Sequence, residues 1–240
     1  MRVKLVSTEL ATAKKEQQVD MKISDLFSAE MDPELNEWVR KFTSLGDLFS
    51  AIPQLYAKLE SQNIQGSVED TAMLVGPVHI GVGSVVHGHA IIRGPSIVGR
   101  DTVVHSHAEI QSGSFIGSKC VIGHSCSIIQ SMVMNNVSVC AGAFIRNSVI
   151  GWGSVVGPGA ILGAVEAERV FASSSQISSK LGVVLGDCAV VGANGIIKPG
   201  AVIGSRTIIG EGVLADGIYE SNQTVTFGQA LDIKPRRDHP

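Results

Sequence analysis

From Ile80 to about Leu162 an aliphatic residue returns every sixth position, at Ile80, Val86, Ile92, Val98, Val104, Ile110, Ile116, Ile122 and Ile128. A small residue stands two places before most of them: Ser84, Ala90, Ser96, Thr102, Ala108, Ser114, Cys120 and Cys126. This spacing fits neither a helical face nor the alternation of a half-buried strand. It predicts short strands joined by tight turns and wound into a solenoid. The branched side chain stacks inward on its equivalent one coil away, and the small residue fills the narrower space at a corner. Glycine or asparagine is expected wherever a turn requires positive φ. The phase slips by one residue after Ile128, resuming at Val133, Val139 and Ile145, then slips again to Ile150, Val156 and Leu162. After an interruption it returns at Leu185, Val191, Ile197, Ile203 and Ile209, with Ala189, Gly195, Ala201 and Thr207 as the small partners.

The pattern changes on both sides of the repeat. Residues 1–22 are polar and mixed and form an N-terminal arm. Residues 23–66 read as a helical cap or linker, with Leu26, Phe27, Met31, Leu35, Trp38, Val39 and Phe42 at helical spacing, then Leu48, Ile52, Leu55, Tyr56 and Leu59. Asp32-Pro33-Glu34 suits a helix start. These helices are expected to cover the open first coil, whose edges would otherwise face water. The solenoid occupies 67–219, with a loop insertion at about 163–182, and residues 220–240 form a C-terminal strand around Thr224-Val225-Thr226-Phe227 and a tail.

Composition narrows the picture. The chain has 240 residues, 44% hydrophobic but only 5% aromatic, which suits a narrow core of Val, Ile and Ala. A net charge of −3 gives no general basic field for nucleic acid. No apolar run approaches the roughly 18 residues of a membrane span, and the first residues lack the apolar stretch of a secretory signal, so a cytoplasmic protein is expected. Cys120, Cys126, Cys140 and Cys188 form no CxxC, and the first two sit at small inward positions, where a thiol acts as a small hydrophobe.

Over roughly residues 74 to 217 the hexads resemble the left-handed β-helix family of acyltransferases and their relatives. The resemblance implies an all-β solenoid, a left-handed parallel β-helix with three hexads per triangular coil and a small N-terminal helical cap, assembled as a homotrimer. Ile23-Ser24-Asp25-Leu26-Phe27, a helical pair and Gly76-Pro77-Val78-His79-Ile80-Gly81 look like the linker that joins the catalytic domain of sugar-1-phosphate nucleotidylyltransferases to a C-terminal hexapeptide domain. No Gly-rich nucleotide loop accompanies it, so nucleotidyl transfer by this chain alone is not expected. Lys180-Leu181-Gly182, Gly192-Ala193-Asn194 and Pro199-Gly200 are similar to the amino-sugar acetyltransferase domains of those bifunctional enzymes.

The resemblance implies acetyl-CoA as co-substrate and a sugar phosphate or nucleotide sugar as partner, with Arg93 on the sugar phosphate and Lys180 and Asn194 along the CoA path. It also implies a histidine that takes the amine proton and backbone N–H groups that hold the oxyanion. The matching stretch Val139-Cys140-Ala141-Gly142-Ala143-Phe144 has Ala141 at the histidine position and Phe144 for a tyrosine, while Gln130 and Ala164 replace further polar contacts. A non-catalytic trimeric scaffold for a separate nucleotidylyltransferase is therefore an alternative.

The histidines lie earlier. Val86-His87-Gly88-His89 and Val104-His105-Ser106-His107 are eighteen residues apart, which stacks His87 on His105 and His89 on His107, with His124 near the next coil. His105, His107 and His124 are candidate acyl-transfer bases. His87, His89, His105 and His107 are candidate ligands for a divalent metal ion such as Zn²⁺, shared across a trimer interface, which would make the chain a metal-dependent enzyme. The remaining reading is a solvent-facing ladder. His79 is expected to be structural, and Trp152, in a Gly-Trp-Gly turn, is expected to meet a neighbouring subunit.

Overall fold

The structure, a computed structural model, describes residues 23–28, 41–42, 45–57, 59–111, 113–163 and 182–226. Three parallel sheets form the sides of a left-handed β-helix of about eight turns. Face A runs from Asn63–Ile64 through Val78–Ile80 and Ser96–Val98 to Ile218–Tyr219. Face B runs from Ser67–Val68 to Thr224–Val225, and face C from Met73–Val75 to Leu214–Ala215. Each coil visits A, B and C in turn.

The register explains the slips in the hexad phase. Ile92 pairs with Ile110 and Ile110 with Ile128, eighteen residues apart, but Ile128 pairs with Ile145 and Ile145 with Leu162, seventeen apart. The missing residue belongs to the C–A corner, between Ile128 and Val133 and again between Ile145 and Ile150. The insertion opens at the same corner, because Leu162 pairs with Ile197 and the chain leaves at Gly163 and returns at Gly182. A corner can lose or gain residues without disturbing the strands on either side.

The inward aliphatics Ile80, Val98, Ile116, Val133, Ile150, Leu185 and Ile203 are fully buried, as are the small corner residues Ser84, Thr102 and Ala108. Glycine directly after an inward aliphatic serves close approach rather than turn geometry: a Cβ on Gly81 would lie 2.6 Å from the backbone of Gly99, and one on Gly99 2.6 Å from that of Gly117. Positive φ is not confined to glycine and asparagine as expected. His89, Asp101, His107, Lys119, Ser125, Cys188 and Arg206 adopt it too. The coil-to-coil hydrogen bonds around each turn hold these residues there, as in Asp101 N–H to Val82 O and Lys119 N–H to Arg100 O.

The described helical residues lie elsewhere than expected, while Met31, Asp32-Pro33-Glu34, Leu35, Trp38 and Val39 fall outside the described residues. Helix α1 (Ile23–Leu26), helix α2 (Leu45–Ala51) and a 3₁₀ turn (Ile52–Leu55) pack on the outer side of face A rather than on the open first coil. Ile23, Leu26, Phe27, Leu48 and Ile52 bury against Met132, Met134, Val149, Val184 and Val202. Those outward Met and Val residues give the helices an apolar seat, while Ile64, Met73 and Val75 of the first coil remain exposed. The strands Asn63–Ile64 and Thr224–Val225 carry the solenoid past both ends of the 67–219 span, through residues too exposed to show the inward period.

Candidate functional site

The B–C corner collects the chemistry. Val86, Val104, Ile122 and Val139 stack in register on face B, so the turn residues that follow them form columns up the corner. His87 lies over His105 with ring centroids 5.3 Å apart and planes 12° apart, and His89 over His107 at 5.1 Å and 10°. These spacings follow the strand repeat of about 4.8 Å. His124 stands one place later in its turn and leans on His105 at 4.6 Å and 32°. The expected imidazole ladder is therefore present, and it is continuous over three coils.

Glu69, absent from the sequence expectations, closes the lower end. Val68 pairs with Val86, which places Glu69 one coil before His87. Its Oε1 lies 2.8 Å from His87 Nδ1, and Oε2 accepts the Gly88 N–H at 2.6 Å. These two hydrogen bonds hold its carboxyl below the usual range, the His87 contact most strongly. Its signal was the eighteen-residue offset from His87, hidden because the first coil lacks the regular hexads.

Burial lowers the proton affinity of His105, and the neighbouring charges of His124 and His87 lower it further. Protonation of His105 would put like charges face to face. The ladder thus favours a neutral imidazole at its centre.

Arg93 ends strand Ile91–Arg93 on face C, exposed, with Nε 3.5 Å from Glu109 Oε1. Asn194 belongs to the B–C corner, in the turn position of His89 and His107 but four coils beyond His107, and is exposed. Lys180 lies outside the described residues. So do Ala164 and most of the insertion. Ala141 is exposed at the corner, and since Ile122 pairs with Val139, it is in register with His124 one coil below. Phe144 follows on face C, half-buried. An imidazole therefore stands one coil from the place where the resemblance expects one.

No three His, Cys, Asp or Glu side chains converge to hold a metal ion among the described residues. The four cysteines are free thiols, with Cys120 and Cys126 buried at their inward positions. Burial raises the Cys126 and Cys188 thiols above their ordinary range, which keeps them protonated. His79 lies on face A, away from the ladder. Trp152 sits in the A–B corner, where its backbone N–H donates to Asp187 Oδ1 at 2.9 Å. No helix among the described residues is long and apolar enough to cross a membrane.

The family described as the GMPPB C-terminal domain matches residues 92–191, a span that holds Arg93, His105, His107, His124 and Ala141. A bifunctional protein GlmU from Methanococcus maripaludis is 33% identical over 198 residues, covering 80% of this chain and 48% of the relative. One from Methanocaldococcus jannaschii is 30% identical over 185 residues, covering 75% and 45%. The chain thus spans about half the length of the curated relatives it matches. Among solved structures, LpxA, a UDP-N-acetylglucosamine acyltransferase from Bacteroides fragilis, aligns over 67% of each chain with a TM-score of 0.46 and 16% identity.

Proposed function

We propose, from the chain's standing as a hexapeptide-repeat left-handed β-helix related to the C-terminal domain of GlmU-like proteins, that it transfers the acetyl group of acetyl-CoA to the amine of a sugar phosphate or nucleotide sugar. One observation carries this reading. His124 is an exposed imidazole at the B–C corner, in register with Ala141 and tilted against a His105 whose proton affinity is depressed. Two imidazoles in contact resist double protonation, and an imidazole is the commonest general base for such a transfer.

His124 accepts the proton of the attacking amine as its nitrogen bonds to the thioester carbonyl carbon. The C–S bond then breaks, and the leaving CoA sulfur takes the proton from the imidazolium. Arg93 on the adjoining face binds the acceptor phosphate, with Asn194 and Lys180 along the donor path. The neighbouring copies of a homotrimer wall the corner. Acetyl-CoA and a panel of amino-sugar phosphates and nucleotide amino sugars, assayed by thiol release, test this. His124→Ala is expected to lower kcat by about 10²- to 10⁴-fold with unchanged melting temperature. Full activity in that variant removes His124 from the chemistry. No transfer to any acceptor in the wild type returns the chain to the scaffold reading, with a separate nucleotidylyltransferase as its partner.

A further inference from the structure

We infer that His89 and His107 form a subsite for a diphosphate group, so that the acceptor is a nucleotide-diphosphate sugar rather than a sugar monophosphate; this deepens, and rests on, the acceptor class proposed above. Neither ring has a hydrogen-bond partner among the described residues, and both are exposed. His87, by contrast, is engaged by Glu69, and His105 lies between His87 and His124. The backbones of His89 and His107 share a φ of 62°, and their ring planes differ by 10° at 5.1 Å. Equal conformations one coil apart present the two ring edges side by side, each with a nitrogen able to donate.

Two phosphoryl groups linked through one oxygen offer outer oxygens at a comparable separation. A single phosphate brings one phosphoryl group to the two rings, whereas a diphosphate brings one to each. Arg93 stands four residues after His89, at the far end of strand Ile91–Arg93. Glu69 and Asp70 lie in the turn one coil below, and both Glu69 oxygens are engaged, by His87 and the Gly88 N–H. Glu109 is paired with Arg93. Beyond this pair the column continues as Ser125 and then Gly142 and Gly159, leaving open space above the upper imidazole.

A diphosphate can come from a nucleotide sugar or from CoA, and the test separates them. Calorimetric titration of inorganic pyrophosphate and inorganic phosphate into the wild type, His124→Ala and the double variant His89→Asn/His107→Asn reads the subsite directly. Asparagine tolerates the left-handed backbone, so the double variant is expected to fold, and its melting temperature checks this. Pyrophosphate is expected to bind at least about tenfold tighter than phosphate to the wild type and to His124→Ala, a preference of about 1.4 kcal/mol, and the double variant is expected to lose it. UDP is expected to displace the pyrophosphate. Equal affinity for the two anions, or an unchanged double variant, overturns the subsite. Displacement by CoA and not by UDP overturns its assignment to the acceptor. Binding that persists in a protein without acyl transfer defeats the catalytic reading alone.

Discussion

Two corners of the same triangle use polar residues in opposite ways. At the A–B corner they are engaged in joining coil to coil. Ser84 Oγ donates to Gly99 O and accepts the Thr102 N–H. Thr102 Oγ1 donates to Gly117 O and accepts the Cys120 N–H. On the outer side, Ser118, Asn135 and Asp187 each accept a backbone N–H from the preceding coil. At the B–C corner the inward residues are Ala90, Ala108, Cys126, Ala143 and Ala160, and the outward imidazoles of His89, His107 and His124 meet ring faces rather than hydrogen-bond partners. The backbone is held equally well at both corners, since its own coil-to-coil bonds run through each. A corner with unengaged nitrogen atoms can serve a ligand; one whose polar atoms already have partners serves the fold.

If that contrast is right, substitutions at the A–B corner should cost stability and leave the ladder intact. The largest effect is expected at Asp187, which is 3% exposed. Its carboxylate accepts the Trp152 N–H at 2.9 Å and the Ser28 N–H at 2.6 Å, and its own N–H donates to Leu26 O. The Asp187 side chain thus ties the segment after α1 to two coils. Asp187→Ala leaves both donors without this acceptor and should lower stability by about 3 kcal/mol in chemical denaturation, with faster proteolysis near residue 28. Asp187→Asn keeps one acceptor and should fall between. Wild-type stability in both variants would dissolve the distinction between the corners.

A smaller effect is expected at Thr102. Thr102→Val keeps the shape and removes both the donor to Gly117 O and the acceptor for Cys120 N–H, so a loss of about 1–2 kcal/mol is expected by the same measurement. Diphosphate binding at the B–C corner should not change. Weakened binding in Thr102→Val would mean that the corners are coupled through the coils they share.

Much of this was legible in the chain. Branched residues at every sixth place give the solenoid because stacking demands one side-chain shape at each inward level, and Ile80 through Ile128 supply it without interruption. The eighteen-residue offset between the two HxH pairs fixed the imidazole stacks for the same reason. The helical seat was not legible. Met132, Val149, Val184 and Val202 look like ordinary outward strand residues, and only the fold shows that they line one face, where Leu26 and Phe27 can bury. Glu69 and Asp187 were missed because their partners lie a coil or more away in sequence, and in Asp187's case across an insertion and at the far end of the chain.

The smallest effect concerns pH and separates the corners by charge. His105 is harder to protonate in the folded protein than the ordinary value of 6.5, first through burial and then through His124 and His87. The unfolded chain therefore binds a proton at a higher pH than the native one, and stability falls as pH drops below about 6.5, continuing through the depressed native value. Above that range His105 contributes no pH dependence. Glu69, whose carboxyl is held low by His87 and the Gly88 N–H, adds its own loss at lower pH, so the acid limb of the wild type sums more than His105. The His105 part is isolated by subtraction: His105→Asn should flatten the stability loss between pH 7 and 5, measured by urea unfolding, and leave stability at pH 8 nearly unchanged. The slope should flatten because the variant no longer forces an imidazole to stay neutral between two others. An acid limb identical in wild type and variant would show that the ladder bears no electrostatic strain at its central ring.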